Sequence, residues 1–70
     1  MRLSARNQLT GTVVSIVRGP VNAMVKIDLG NGNTVSATLT ADGVDTLGLA
    51  EGDTATAIFK ATAVIVGVEE

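Results

Sequence analysis

The stretch Met24-Val25-Lys26-Ile27-Asp28-Leu29-Gly30-Asn31-Gly32-Asn33-Thr34-Val35-Ser36-Ala37-Thr38-Leu39-Thr40 decides how this chain folds. Val25, Ile27 and Leu29 alternate with Met24, Lys26 and Asp28, a period of two that belongs to a half-buried strand. Asn31-Gly32 follows, and these residue types accept the positive φ that a tight hairpin turn requires. The return strand runs from Thr34 to Thr40. Val35, Ala37 and Leu39 form its inner face, and Thr and Ser fill the other, as suits a β-surface that is solvated or docked on a partner.

Upstream of the hairpin, Leu9 to Arg18 reads as a long first strand. Its second half, with Val13, Val14, Ile16 and Val17, is apolar on both faces. Gly11 within it marks either a bulge or a close backbone approach. Downstream, between Thr40 and Leu49, the period changes. Val44 and Leu47 stand three apart, Thr40 or Asp42 can cap, and Gly48 supplies a stop, which predicts one short helix of about two turns. Glu51-Gly52-Asp53 then turns the chain into a fourth strand, Thr54 to Lys60, and a fifth is predicted over roughly Ala63 to Val68. The fifth is also apolar on both faces, through Val64, Ile65, Val66 and Val68. The pattern predicts an all-β fold, a small five-stranded barrel with one short helix between strands 3 and 4.

Composition limits what such a barrel does. Seventy residues make one domain, and a domain this small leans on disulfides, metals or oligomerisation for its stability. Cysteine and histidine are both absent, which removes disulfides and the common zinc sites. The chain is nonetheless 46% hydrophobic, more than a small globule hides by itself, so a homo-oligomer is expected. The formal net charge is −2, the five basic residues (Arg2, Arg6, Arg18, Lys26, Lys60) are dispersed, and Phe59 is the one aromatic. A nucleic-acid reader wants a basic stripe, and a single-strand binder wants stacking platforms, so no nucleic-acid partner is expected. Arg2 has no apolar run behind it and no stretch approaches the length of a membrane span, so the expected location is cytoplasmic, without a membrane partner. The acids lie scattered through turns and the tail, and Asp42 and Asp45 suit the start of a helix better than a catalytic pair. The expectation is a binding protein, not an enzyme.

Three clusters carry possible binding chemistry: Ser4-Ala5-Arg6-Asn7-Gln8, Gly19-Pro20-Val21-Asn22-Ala23, and Phe59-Lys60-Ala61-Thr62-Ala63-Val64. By residue type alone, Arg6 reads as an ordinary solubilising charge, Lys60 as one that blunts a strand edge, and Gly19-Pro20 as a routine turn. Each cluster also places small or hydroxylated residues and exposed backbone beside a cation or an amide, which is the equipment for holding a small oxyanion. On an extended segment, donors at Ser4 and Arg6 would project to one side. Thr38 and Thr40 are weaker candidates, because a Thr-rich strand face needs only β-propensity to explain it.

In this order and at this spacing the clusters resemble the molbindins, small molybdate-binding proteins built from one Mop (TOBE-type) domain. The resemblance covers nearly all of residues 1–70, read as a single such domain, and implies an OB-like connection for the barrel. It implies that molybdate or tungstate is bound through its oxygens, with no metal ion coordinated directly by protein. In one site, Ser4, Ala5, Arg6 and Asn7 of one subunit would be approached by Lys60, Ala61 and Thr62 of another. In a second, Gly19, Val21, Asn22 and Ala23 of several subunits would converge near a symmetry axis. It further implies a homohexamer, a trimer of dimers. Two positions depart from the family pattern: Met24 stands where an acidic residue is common, and Gly43 where a serine is common. Met24 is neutral for anion binding, whereas Gly43 removes a hydroxyl close to a helix start and can weaken one class of site. The leading reading is a molybdate store, with tungstate as the nearest substitute; the alternatives are a ligand-sensing module or a structural assembly module acting on a partner protein.

Overall fold

The structure, a computed structural model, describes residues 2–69. Strands β1 (Asn7–Arg18), β2 (Asn22–Gly30), β3 (Asn33–Thr40) and β4 (Thr54–Phe59) form one sheet in the order β3-β2-β1-β4, with every neighbouring pair antiparallel. A short helix, α1 (Ala41–Leu47), separates β3 from β4. The hairpin that the sequence predicts is present. Asn31 and Gly32 adopt φ of 54° and 78°, and the inner faces of β2 and β3 carry the expected apolar residues. Val13, Ala23, Val25, Ile27 and Val44 form the core, with Ile16, Leu39, Leu49, Ala55 and Ala57 packed against it.

β1 is shared between two partners. Its C-terminal part, Thr12 to Arg18, pairs with β2, and its N-terminal part, Asn7 to Thr12, pairs with β4. Val13 extends the β4 side by exchanging bonds with the turn before it, its N–H donating to Asp53 O and its carbonyl accepting from Gly52 N, each at 2.8 Å. At the crossover, Gly11 has no room for a side chain: a Cβ there would stand 2.2 Å from the Asp28 carbonyl oxygen. Gly11 therefore marks a close backbone approach, while the register shift on β1 falls between Val13 and Ser15. Bending one long strand at this point curls the sheet into a half-barrel.

The helix is defined by its ends. Thr40 is the N-cap, its Oγ1 accepting from Gly43 N at 2.9 Å, and Gly48 closes the helix in the left-handed region at φ 64°. Val44 is fully buried and seats the helix on the core.

The expected fifth strand does not form. Among the described residues the sheet has four strands, and β4 ends at Phe59. A 3₁₀ turn over Ala61–Ala63 follows, flanked by extended Lys60 (φ −74°, ψ 150°) and Val64 (φ −86°, ψ 130°). A tight reversal onto β4 needs positive φ in the connection, and Asn31 is the one non-glycine with positive φ among the described residues. The connection lacks glycine and asparagine, so the chain runs on and leaves Ile65, Val66 and Val68 at 94%, 83% and 86% exposure. No described helix is long and apolar enough to cross a membrane.

Two substitutions test this account of the fold. Gly11→Ala forces the β1–β2 crossover apart and is expected to cost about 1–3 kcal/mol in denaturant unfolding. Thr40→Ala removes the helix cap and is expected to cost about 0.5–2 kcal/mol, with Thr40→Ser restoring most of it.

Candidate functional site

The first cluster lies where β1 begins. Ser4 and Arg6 are exposed, Ala5 and Asn7 half-buried, and the chain bends at both Ser4 and Arg6 before the strand starts at Asn7. The segment before Asn7 is therefore not extended throughout. The Gln8 side-chain amide reaches back to the Ala5 carbonyl at 3.5 Å, tying the bend to the strand.

The β1–β4 ladder ends with Asn7 opposite Phe59. The residues that leave it on the two sides are Arg6 and Lys60, so one chain brings the start of the first cluster and the whole of the third to the same end of the sheet. The 3₁₀ turn shapes the third cluster. Its hydrogen bonds run from Ala63 N to Lys60 O (2.9 Å) and from Val64 N to Ala61 O (3.2 Å). The N–H groups of Ala61 and Thr62 stay outside these bonds, as the leading amides of a helical turn do. Lys60, Ala61 and Thr62 are all exposed. Among the described residues neither Arg6 nor Lys60 pairs with a carboxylate. This end of the molecule thus presents two uncompensated cations, a serine and a threonine hydroxyl, and free backbone donors, a set suited to an anion.

The second cluster lies at the far end of β1. The strand has 12 residues, which at about 3.3 Å per residue separates the two ends by roughly 36 Å. Here much of the backbone is already engaged. Gly19 N donates to Asn22 O at 2.8 Å, and Val21 O accepts from Ala41 N at 2.7 Å. Ala23 is 2% exposed and pairs with Arg18 on one side and Leu39 on the other, so its side chain packs in the core. Val21 and Asn22 remain exposed, and the Asn22 side-chain amide makes no hydrogen bond among the described residues.

Charge separates the two ends. Arg18, at the end of β1, is held by Asp45 of α1 at 2.8 Å. Both side chains are well exposed, so the pair adds little stability, but it does neutralise the one arginine beside the second cluster. Nothing in the sequence signals this contact, because 27 residues separate the partners and no spacing rule joins them. The two departures from the family pattern have separate consequences. Met24 is partly exposed beside Thr38 and Val17 on the neighbouring strands. Gly43 uses its N–H on Thr40, and a Cβ there would meet Thr40 Oγ1 at 3.1 Å, so the glycine allows a close cap where a serine would crowd it.

Comparison with known proteins places these clusters in context. The model of the TOBE domain matches residues 3–66. A probable molybdenum-pterin-binding protein from Haemophilus influenzae is 56% identical over 69 residues, covering 99% of this chain and 100% of that protein. A molybdate-binding protein from Sporomusa ovata superposes with a TM-score of 0.90 at 41% identity, over 97% of this chain and 100% of that one. The cytoplasmic molybdate-binding protein ModG, solved with molybdate bound, gives a TM-score of 0.93 at 48% identity, over 99% of this chain and 49% of that one. With the family model spanning most of its length and a relative matched end to end, the chain belongs to the TOBE-domain family.

Proposed function

We propose that this protein binds molybdate, with tungstate as the nearest substitute, and holds it between subunits of a cytoplasmic homo-oligomer that stores and buffers the anion. The observation that supports this reading is that Arg6 and Lys60 flank the same end of the β1–β4 ladder and, with Ser4 and Thr62, are exposed there to a neighbouring copy. A tetrahedral dianion needs two charges neutralised and four oxygens covered, and the first cluster of one copy with the third cluster of another supplies cations together with hydroxyl and backbone donors. Binding runs through the oxyanion's oxygens, so no side chain coordinates the metal. The names of the relatives, and the molybdate in the ModG structure, support the same ligand.

The second cluster, through Gly19, Val21, Asn22 and Ala23, is a site of a different kind. With Arg18 already paired, its donors are neutral, and several copies must converge to match what one Arg6–Lys60 end provides. The oligomer in this reading accounts for the exposed apolar residues, Val14, Val17 and Val21 on one side of the molecule's sequence and Val64 to Val68 on the other. The family resemblance implies six chains. Residues 1–70 act as one binding domain, and with neither histidine nor cysteine in the chain its role is binding without catalysis.

Arg6→Ala is expected to weaken molybdate binding by roughly tenfold or more in calorimetry, since a charge-assisted hydrogen bond contributes about 1.5–3 kcal/mol. Arg18→Ala removes an arginine already satisfied by Asp45 and is expected to change binding far less. Equal, small effects would make Arg6 an ordinary surface charge and remove it from the site.

Selectivity provides a second test. Short hydroxyls and backbone N–H groups do not stretch to fit, so anion size and protonation decide the order. Sulfate is fully ionised but smaller than molybdate, so its oxygens make longer and weaker contacts. Phosphate at neutral pH carries a proton that finds no acceptor, at a cost of about 1–3 kcal/mol. The expected order in competition calorimetry is molybdate and tungstate, then sulfate, then phosphate. Phosphate displacing molybdate at comparable concentration would reduce the sites to generic positive nests.

A further inference from the structure

An ion pair closes the far end of β1, beside the second cluster. Arg18 stands opposite Ala23 in the β1–β2 ladder, and Asn22 stands opposite Thr40, the residue that caps α1. Ala41, the first residue of the helix, donates its N–H to the Val21 carbonyl at 2.7 Å. Asp45 follows Ala41 by four positions and so shares its face of the helix. Its Oδ1 accepts from Arg18 Nη2 at 2.8 Å. One face of α1 therefore fixes both the backbone of the loop and the arginine next to it.

The pair has little to do with folding. Its side chains are 48% and 66% exposed, and an ion pair so open to solvent adds little stability. What it changes is charge. The guanidinium fork is matched to oxyanions, and here a carboxylate of the same chain already occupies it. Among the described residues Arg18 has no other side-chain partner.

We infer that Asp45 sets the anion affinity of the second cluster: by holding Arg18, it keeps that site neutral and weak beside the site of Arg6 and Lys60. This role rests on the reading of the second cluster as an oxyanion site, and it explains how two classes of site differ within one chain. A dianion approaching Val21 and Asn22 meets an arginine and an aspartate whose charges cancel, so only neutral donors attract it. Where several copies converge, each brings the same cancelled pair. The store then has a tight class and a loose class, separated by whether the local arginine has an acidic partner. Arg6 has none among the described residues, and Arg18 has Asp45.

The test is molybdate calorimetry on the full chain at fixed ionic strength, resolved into tighter and weaker classes of site. Asp45→Asn is expected to tighten the weaker class roughly fivefold or more and to leave the tighter class within about twofold. A weaker class that appears only in Asp45→Asn counts as the same gain. Combining it with Arg18→Ala is expected to abolish the gain, which separates a released arginine from the mere loss of an acid. Asp45→Glu keeps the carboxylate and is expected to leave the weaker class as it was. Asp42→Asn removes an acid of the same helix that does not touch Arg18, and is expected to give no comparable gain. Arg18, Asp42 and Asp45 are all exposed, so the variants keep the fold. No change in the weaker class with Asp45→Asn, the same gain without Arg18, or the same gain from Asp42→Asn would each overturn the role of Asp45. Absence of molybdate binding from every variant and from the unmodified protein would overturn the proposed function as well. Tight binding that Arg6→Ala weakens leaves that function standing whatever Asp45 does.

Discussion

The passage of the end of β2 across Gly11 of β1 is the constraint on which the rest of the structure depends. Any side chain at Gly11 would run into the Asp28 carbonyl, so the two backbones approach as closely as they do only because the residue is glycine. That approach lets one 12-residue strand serve β2 with one part and β4 with the other. The ladder to β4 ends with Asn7 opposite Phe59, and this brings Arg6 and Lys60 to one place. Geometry at a buried crossover thus sets the charge at a distant, exposed end.

The chain solves a problem common to small domains by leaving its barrel unfinished. A closed five-stranded barrel from 70 residues would still expose the outer faces of two apolar strands. With Val64–Val68 outside the sheet, the single chain shows both an open apolar cleft and an exposed apolar segment.

How much was legible in the sequence depends on the distance over which each feature acts. The β2–β3 hairpin, the Thr40 cap and the Gly48 stop are local devices, written in neighbouring residues, and each was readable. The apolar character of the fifth strand was also readable, and so was the need to cover it. Its absence from the sheet was not, because alternation identifies a strand without naming its partner. The bends at Ser4 and Arg6 were missed because a polar run before a strand carries no conformational signal. The Arg18–Asp45 pair and the burial of Ala23 arise from tertiary packing, and both alter the second cluster in ways that its residue types do not disclose. Residue chemistry marked the candidate site. The ladder register was needed to show that Arg6 and Lys60 flank the same end of the sheet.

In the proposed function the oxyanion site is completed only in the assembled protein, where β1 begins and the chain leaves β4. Native mass spectrometry across a molybdate titration tests it most directly, because it counts chains and anions in the same ion. Anion is expected on a multiple of the chain, with stoichiometry fixed by the number of subunits, and none on the single chain. Molybdate carried equally by a single chain, or an oligomer that retains none, would contradict it.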